Sequence, residues 1–309
     1  MIASDAARAT SIVTGVVASV LAGTVTVILT LILILTLTNI PTVDAASGLT
    51  GSVRAGTAAA RDVAYPTDTA CDLDTVRSLA SRHPDVRQFI VFSTDGFADT
   101  FGTGFVAARR SSGDWVCQTS PALARFGRSG TRPLIERRSG DGSTPAGVFP
   151  LGAITAWDGQ RLNMFGNDPN PGVRSNVAYR DVRPEDCWGA TPNAPDYNHL
   201  VERPGCAGPD DEWLPRFGGV YSHAAIIGAN LDPITEATSG DAPGETPFAA
   251  AIFLHRHSYG LGRTSGPSRP TSGCVSLDAT ALVDAIIAID PALDPHFAIG
   301  PAEYLRTSA

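Results

Sequence analysis

The chain contains no lysine; all 23 of its basic residues are arginine. This excludes a lysine nucleophile or Schiff-base mechanism, and it excludes the phosphate-binding loop, which needs a lysine. Positive charge is also outweighed, with 31 acidic residues giving a net charge of -8. A nucleic-acid binder normally carries a basic patch or stripe, so that class is set aside and no nucleic-acid partner is expected. No internal repeat is visible. A charged fraction of 17% with 43% hydrophobic residues over 309 positions fits one folded domain with an added apolar segment.

Charge is missing altogether from Ala9 to Val43, and Ile12 to Leu37 is almost entirely aliphatic with Thr, Ser and Gly interspersed. As a helix these 26 residues would extend about 39 Å, more than the roughly 30 Å of a bilayer's hydrocarbon core. The length favours an uncleaved membrane anchor over residues 11–40. The alternative is a long signal cleaved after Ala45, at Val43-Asp44-Ala45, which would release a secreted protein. Arg8 is the only basic residue before the span, so residues 1–10 are placed in the cytoplasm and everything after the span outside the cell membrane. Residues 41–69, rich in Ala, Thr, Gly and Ser, read as a flexible linker. Residues 70–309 form the main domain.

The chain has five cysteines, Cys71, Cys117, Cys187, Cys206 and Cys274. Outside the cytoplasm an odd count leaves one thiol unpaired or intermolecular, and any four cysteines pair in three ways. The pairing preferred here is Cys187 with Cys206, closing a loop rich in Pro, Asn and Asp, and Cys71 with Cys117, tying the start of the domain to an early hairpin. Cys274 is then the free thiol.

Leu73 to Ser81 reads as a short helix. Gln88 to Ser93, Gly147 to Leu151, Gly219 to Ile227 and Ala249 to His257 read as strands, and Gly104 to Thr119 as a hairpin turning at Ser111-Ser112-Gly113. Asn163 to Gly218 is irregular, and a late helix covers Ala279 to Ile289. Many short strands with little helical periodicity predict a mostly β domain. Asp186-Cys187-Trp188 and Asn193 to Asn198 are candidates for a lid or substrate wall, which includes Tyr197.

Cys274 lies in Pro270-Thr271-Ser272-Gly273-Cys274-Val275-Ser276, downstream of Ile252-Phe253-Leu254-His255-Arg256-His257. A thiol becomes a nucleophile as its thiolate, and a nearby imidazole can generate it. Strand alternation puts Ala251, Phe253, His255 and His257 on one face, with Ile252, Leu254 and Arg256 on the other. Pro270, Gly273 and the small residues between them suit a tight turn that presents the thiol and aims backbone N–H groups at an oxyanion.

These residues, together with Gly140-Asp141-Gly142-Ser143-Thr144-Pro145-Ala146-Gly147-Val148-Phe149, resemble the L,D-transpeptidase catalytic domain (YkuD-like) over about Gln88 to Gly300. Fifteen residues separate His255 from Thr271, within the family's spacing, whereas thirteen follow His257. This branch has Thr-Ser-Gly-Cys in place of Ser-His-Gly-Cys: Ser272 replaces the usual second His, Ser276 an Asn or Arg, and Arg256 a small residue. The resemblance implies an L,D-transpeptidase-like β-sandwich or barrel with one or two short helices. It implies a cysteine-dependent acyltransferase that uses Cys274 as nucleophile, His255 as base, the Gly273 and Cys274 N–H groups for the oxyanion, and Thr271 as a turn or hydrogen-bonding residue. Ser272, Ser276, Arg256, His257, His223 and Tyr197 become substrate-binding candidates. The implied substrates are peptidoglycan stem tetrapeptides, joined by 3→3 cross-links or trimmed by an L,D-carboxypeptidase reaction. Carbapenem-type inhibitors are expected to acylate Cys274, and no cofactor or metal is implied.

Three rivals accompany this reading. His255, His257 and Cys274 have the ligand chemistry of a zinc site, though without a fourth ligand motif. Cys274 is otherwise a buried, inert cysteine. The third is a membrane-tethered, non-catalytic envelope-binding module, suggested by Ser272 and Ser276. The Gly140 to Gly147 block is read as a β-turn leading into a core strand.

Overall fold

A computed structural model describes residues 71–167, 177–231, 248–260, 263 and 265–309. The cytoplasmic segment, anchor or signal, and linker expected over 1–69 lie outside the described residues. Among those described, no helix is long and apolar enough to cross a membrane.

The expected mostly β character holds. In chain order the strands are β1 (Gln88–Thr94), β2 (Phe101–Arg109), β3 (Trp115–Cys117), β4 (Ala122–Arg125), β5 (Thr131–Pro133), β6 (Thr144–Pro150), β7 (Ile154–Thr155), β8 (Arg161–Leu162), β9 (Met164–Gly166), β10 (Tyr179–Asp181), β11 (Asp186–Trp188), β12 (Leu200–Glu202), β13 (Glu212–Trp213), β14 (Ala224–Ile226), β15 (Phe253–Arg256), β16 (Val275–Leu277) and β17 (Pro295–Pro301). The α-helices among the described residues are α1 (Leu73–Arg82), α2 (Ala279–Ala288) and α3 (Ala302–Thr307), three where one or two are expected. The short α3 has no side-chain cap and follows directly from β17, which explains why sequence periodicity does not announce it.

The main sheet has the order β10-β9-β14-β15-β16-β4-β2-β1-β17-β6-β5, with β3 added to β2. It curls back on itself: Gly152 donates to the Ile226 carbonyl at 2.8 Å and Gly228 to that of Pro150 at 2.9 Å, joining the end of β6 to the end of β14. Inside the curl, Ile90, Phe92, Val106, Leu254, Val275, Leu277, Phe297 and Ile299 pack with Leu282 and Ile286 of α2. On the outer side of β1, β2 and β17, Phe89, Val91, Phe105 and Ala298 pack against Val76 and Leu79 of α1 and Leu305 of α3. β1 is therefore buried on both faces, and its sequence is a nearly continuous apolar run.

The helix starts follow from capping. Asp72 accepts from the Thr75 N–H at 3.0 Å. Asp278 accepts from Thr280 and Ala281, at 2.9 and 3.1 Å, and starts α2 one residue after β16. Each such cap contributes about 1 kcal/mol.

Three expected segments differ. The strand expected over Gly219–Ile227 is confined to Ala224–Ile226, because Val220 to His223 form a turn that covers β15. The strand expected over Ala249–His257 shrinks to Phe253–Arg256, because Ala251 adopts a left-handed backbone, φ 54°. The span 163–218, expected to be irregular, contributes β9 to β13. Of these, β12-β11-β13 form a separate small sheet, which packs Trp188, Leu200 and Leu214 over the outer face of β9, β14 and β15.

Both expected disulfides are present. Cys71 is bonded to Cys117 and Cys187 to Cys206, with Cα separations of 6.2 and 5.9 Å, and Cys274 is free and buried.

Candidate active site

The site is built on β15 and β16, which are parallel neighbours with Leu254 beside Val275 and His255 beside Ser276. Leu254 and Val275 enter the inner core, while Phe253 and Cys274 lie in the outer cluster under the small sheet. The pleat thus places Cys274, Ser276, Phe253, His255 and His257 on one outer face.

Several groups brace the turn before β16. Thr271 Oγ1 donates to the Cys274 carbonyl at 2.6 Å and accepts from the Gly273 N–H at 3.1 Å. Thr144 Oγ1 donates to the same carbonyl at 3.0 Å and accepts from the Gly127 N–H at 2.8 Å. The Gly140 to Gly147 block therefore does more than lead into a strand: its threonine holds the cysteine turn from below. Gly273 has φ 155°, and a β-carbon there would lie 3.2 Å from the Ser143 carbonyl oxygen and 3.4 Å from the Arg137 guanidinium. Arg137 is itself buried, donating to the Phe248 carbonyl at 2.6 Å and pairing with Asp141 at 3.7 Å.

The thiol is held in place from the other side. Cys274 Sγ donates to the Ala251 carbonyl at 3.2 Å and accepts from the Phe253 N–H at 3.4 Å. Asn198 fixes the left-handed Ala251: its Oδ1 accepts from the Ala251 N–H at 3.1 Å and from Trp188 Nε1 at 3.0 Å, while its Nδ2 donates to the Asn230 carbonyl at 2.6 Å. Asn198 and Trp188 belong to the segments expected to form a lid or wall, and they lie over β15.

Burial raises the thiol pKa well above its ordinary value, and the negative charge of Glu212 raises it further; the Phe253 N–H and the Arg137 charge oppose them. Burial lowers both His255 and His257 to about 4, so both are neutral at neutral pH. His255 Nδ1 lies 2.7 Å from the Arg256 carbonyl oxygen, which can only accept. The proton is therefore on Nδ1, and Nε2 carries the lone pair. His257 Nδ1 is hydrogen-bonded to Ser276 Oγ at 2.9 Å. In this arrangement Cys274 is bonded to Ala251 and not to His255.

The remaining sequence candidates scatter. Ser272 is exposed, and Arg256 is on the opposite face of β15, its backbone N–H donating to Val220. His223 is buried in the turn before β14 rather than on a strand. Tyr197 is buried, its hydroxyl pushed up to about 12 by burial, with the Ser139 side chain and the Arg137 charge acting against that rise. The Gly273 N–H, expected to face an oxyanion, is taken by Thr271, which leaves the Cys274 N–H as the remaining donor of the two.

His255, His257 and Cys274 do not come together as a metal-binding trio. Among the described residues, the one such group is Cys187, Cys206 and Asp211, and its two cysteines are bonded to each other.

Sequence reasoning missed Arg137, Glu212 and Tyr221, and it placed Asn198 in a lid or wall segment without its tie to Ala251. Tyr221 stands edge-on to His255 and Phe253, with ring centroids 5.4 and 5.6 Å away, and donates to Glu212 Oε2 at 2.6 Å. Burial raises the Glu212 carboxyl to about 7, with the Tyr221 hydrogen bond acting against it. Arg137, Glu212 and Tyr221 lie in no recognisable motif; tertiary packing brings them to the cysteine.

No protein-family model matches this chain, and no curated protein or solved structure matches it either.

Proposed function

We propose that this protein is a peptidoglycan L,D-transpeptidase, tethered by residues 11–40 with its L,D-transpeptidase-like catalytic domain on the extracytoplasmic side. The observation that carries this reading is the placement of the one free thiol, Cys274, on the same sheet face as a neutral His255 whose Nε2 is unprotonated.

In the reaction, Cys274 rotates away from the Ala251 carbonyl and gives its proton to His255 Nε2. The thiolate attacks the carbonyl joining the L-centre of diaminopimelate to the terminal D-Ala of a stem tetrapeptide. The Cys274 N–H donates to the oxyanion, and the buried Arg137 charge favours the negative forms of the site. The imidazolium returns its proton to the leaving D-Ala amine, and a thioester remains on Cys274. The amine of a second stem then attacks the thioester, completes the 3→3 cross-link and frees the thiol.

The test is incubation with disaccharide-tetrapeptide followed by mass analysis of the products. A transpeptidase yields a cross-linked dimer that has lost one D-Ala. Disaccharide-tripeptide alone makes the protein an L,D-carboxypeptidase, and unchanged substrate with folded protein makes it a non-catalytic binding module.

A further inference from the structure

Glu212 has a position that the acylation half of this reaction does not use. It lies opposite Trp188 in the antiparallel β11–β13 pair, so the two side chains share a face of the small sheet. Trp188 packs edge-on against Phe253 at 4.8 Å, which fixes that face as the one turned toward β15. From there Glu212 accepts the Tyr221 hydroxyl proton, and the Tyr221 ring spans Phe253 and His255. Phe253 in turn donates its N–H to the Cys274 sulfur. The carboxyl thus stands over the thiol and imidazole, close enough for its charge to disfavour the thiolate.

This charge is unfavourable for acylation and has no cation to offset it: among the described residues, no ion pair involves Glu212. A partly buried carboxylate whose hydrogen-bond partner is the neutral Tyr221 hydroxyl is offset best by a positive charge, which an ammonium acceptor would bring. Resting on the transpeptidase reading, we propose that Glu212 is a catalytic residue of the second half-reaction, binding the acceptor as an ammonium ion and taking one proton from it.

The step balances as follows. The ammonium gives a proton to the Glu212 carboxylate and becomes a free amine. The amine nitrogen attacks the thioester carbonyl, and its second proton passes to His255 Nε2. The C–S bond breaks, the imidazolium reprotonates the thiolate, and Glu212 releases its proton to solvent. Water as acceptor brings no positive charge, so Glu212 favours aminolysis over hydrolysis. A carboxyl held near neutrality is half-ionised at the pH at which it must both accept and release that proton.

The experiment measures the ratio of dimer to tripeptide formed from disaccharide-tetrapeptide by the full chain and its Glu212→Gln variant, alongside carbapenem acylation of both. Glutamine keeps an acceptor for Tyr221 but carries no charge. The expected result is at least about a tenfold fall in the ratio and a raised KM for the acceptor. Acylation should be as fast as in the wild type or faster, since a charge that opposes the thiolate is gone. A ratio within about twofold of wild type, with acylation intact, overturns the role of Glu212 and leaves the transpeptidase reading standing. A wild type that is never acylated overturns both. If Glu212→Gln does not fold, Glu212→Asp retains the charge one methylene further away. It is then expected to lower the ratio with acylation intact, and an unchanged ratio there overturns the proposal.

Discussion

The Cys274 thiol donates to the carbonyl of Ala251 at 3.2 Å, and Ala251 holds that carbonyl in place through a left-handed backbone, φ 54°. A non-glycine residue in this region carries a cost of order 1 kcal/mol or more and persists where its surroundings fix it. Here the fixing group is Asn198, one residue tying the small outer sheet to the backbone beside the nucleophile. The resting site is a protonated thiol beside a neutral imidazole, not a thiolate–imidazolium pair.

That resting state gives a distinct pH profile. Burial and Glu212 raise the thiol pKa, and His255 is lowered to about 4. Iodoacetamide labelling of Cys274 is therefore expected to be slow at neutral pH and to climb steadily from about pH 7 to about pH 9. A preformed ion pair would instead label at a rate nearly independent of pH from about 5 to 8. Labelling rates followed by intact-protein mass spectrometry separate the two.

Asn198→Ala removes the acceptor of two buried donors and the donor to the Asn230 carbonyl. Buried groups left unsatisfied cost about 1–3 kcal/mol each, so the loss expected in a urea titration is about 2–4 kcal/mol after relaxation. With Ala251 released, thiol labelling of the folded variant should speed up. A variant with wild-type labelling would separate Asn198 from the reactivity of Cys274.

Acid stability follows from the buried histidines. Each has a folded pKa of about 4 against an ordinary 6.5, so between these values the unfolded chain binds more protons. Their neutral-form stability is present above about pH 6.5 and is lost as the pH falls toward 4, on the order of 3 kcal/mol each. Glu212 runs the other way, because its folded value of about 7 lies above the ordinary 4.5, so folding is favoured as pH falls through that window. Two groups oppose one, and stability is expected to drop on acidification below about pH 6. Glu212→Gln should steepen that drop and His255→Asn should flatten it, both read from urea midpoints across the range.

Much of this arrangement is legible in the amino-acid sequence. The apolar run Gln88–Ser93 reads as a strand, the late helix is expected to begin at Ala279, and the alternation through Phe253, His255 and His257 puts both imidazoles on one face. The odd cysteine count requires one unpaired or intermolecular thiol, and the preferred pairing, present in the structure, makes it Cys274. Gly219 to His223 misled because a run of β-compatible residues was needed as a turn over β15. Ala249 to Ile252 misled because Ala251 takes a backbone angle that its residue type does not signal. Arg137, Asn198, Glu212 and Tyr221 reach the thiol across sequence separations of 53 to 137 positions, and single polar residues in loops or two-residue strands carry no periodicity that would reveal such contacts. The Thr144 block was visible as a motif, yet its hydrogen bond to the Cys274 carbonyl depends on how the two turns meet in the fold.

The most direct measurement is intact-protein mass spectrometry of the folded domain after incubation with a carbapenem. A cysteine acyltransferase gains the mass of one inhibitor molecule, the adduct maps to the peptide containing Cys274, and Cys274→Ala abolishes it. Folded wild-type protein that retains an unmodified Cys274 under the same conditions would contradict the assignment of this thiol as a nucleophile.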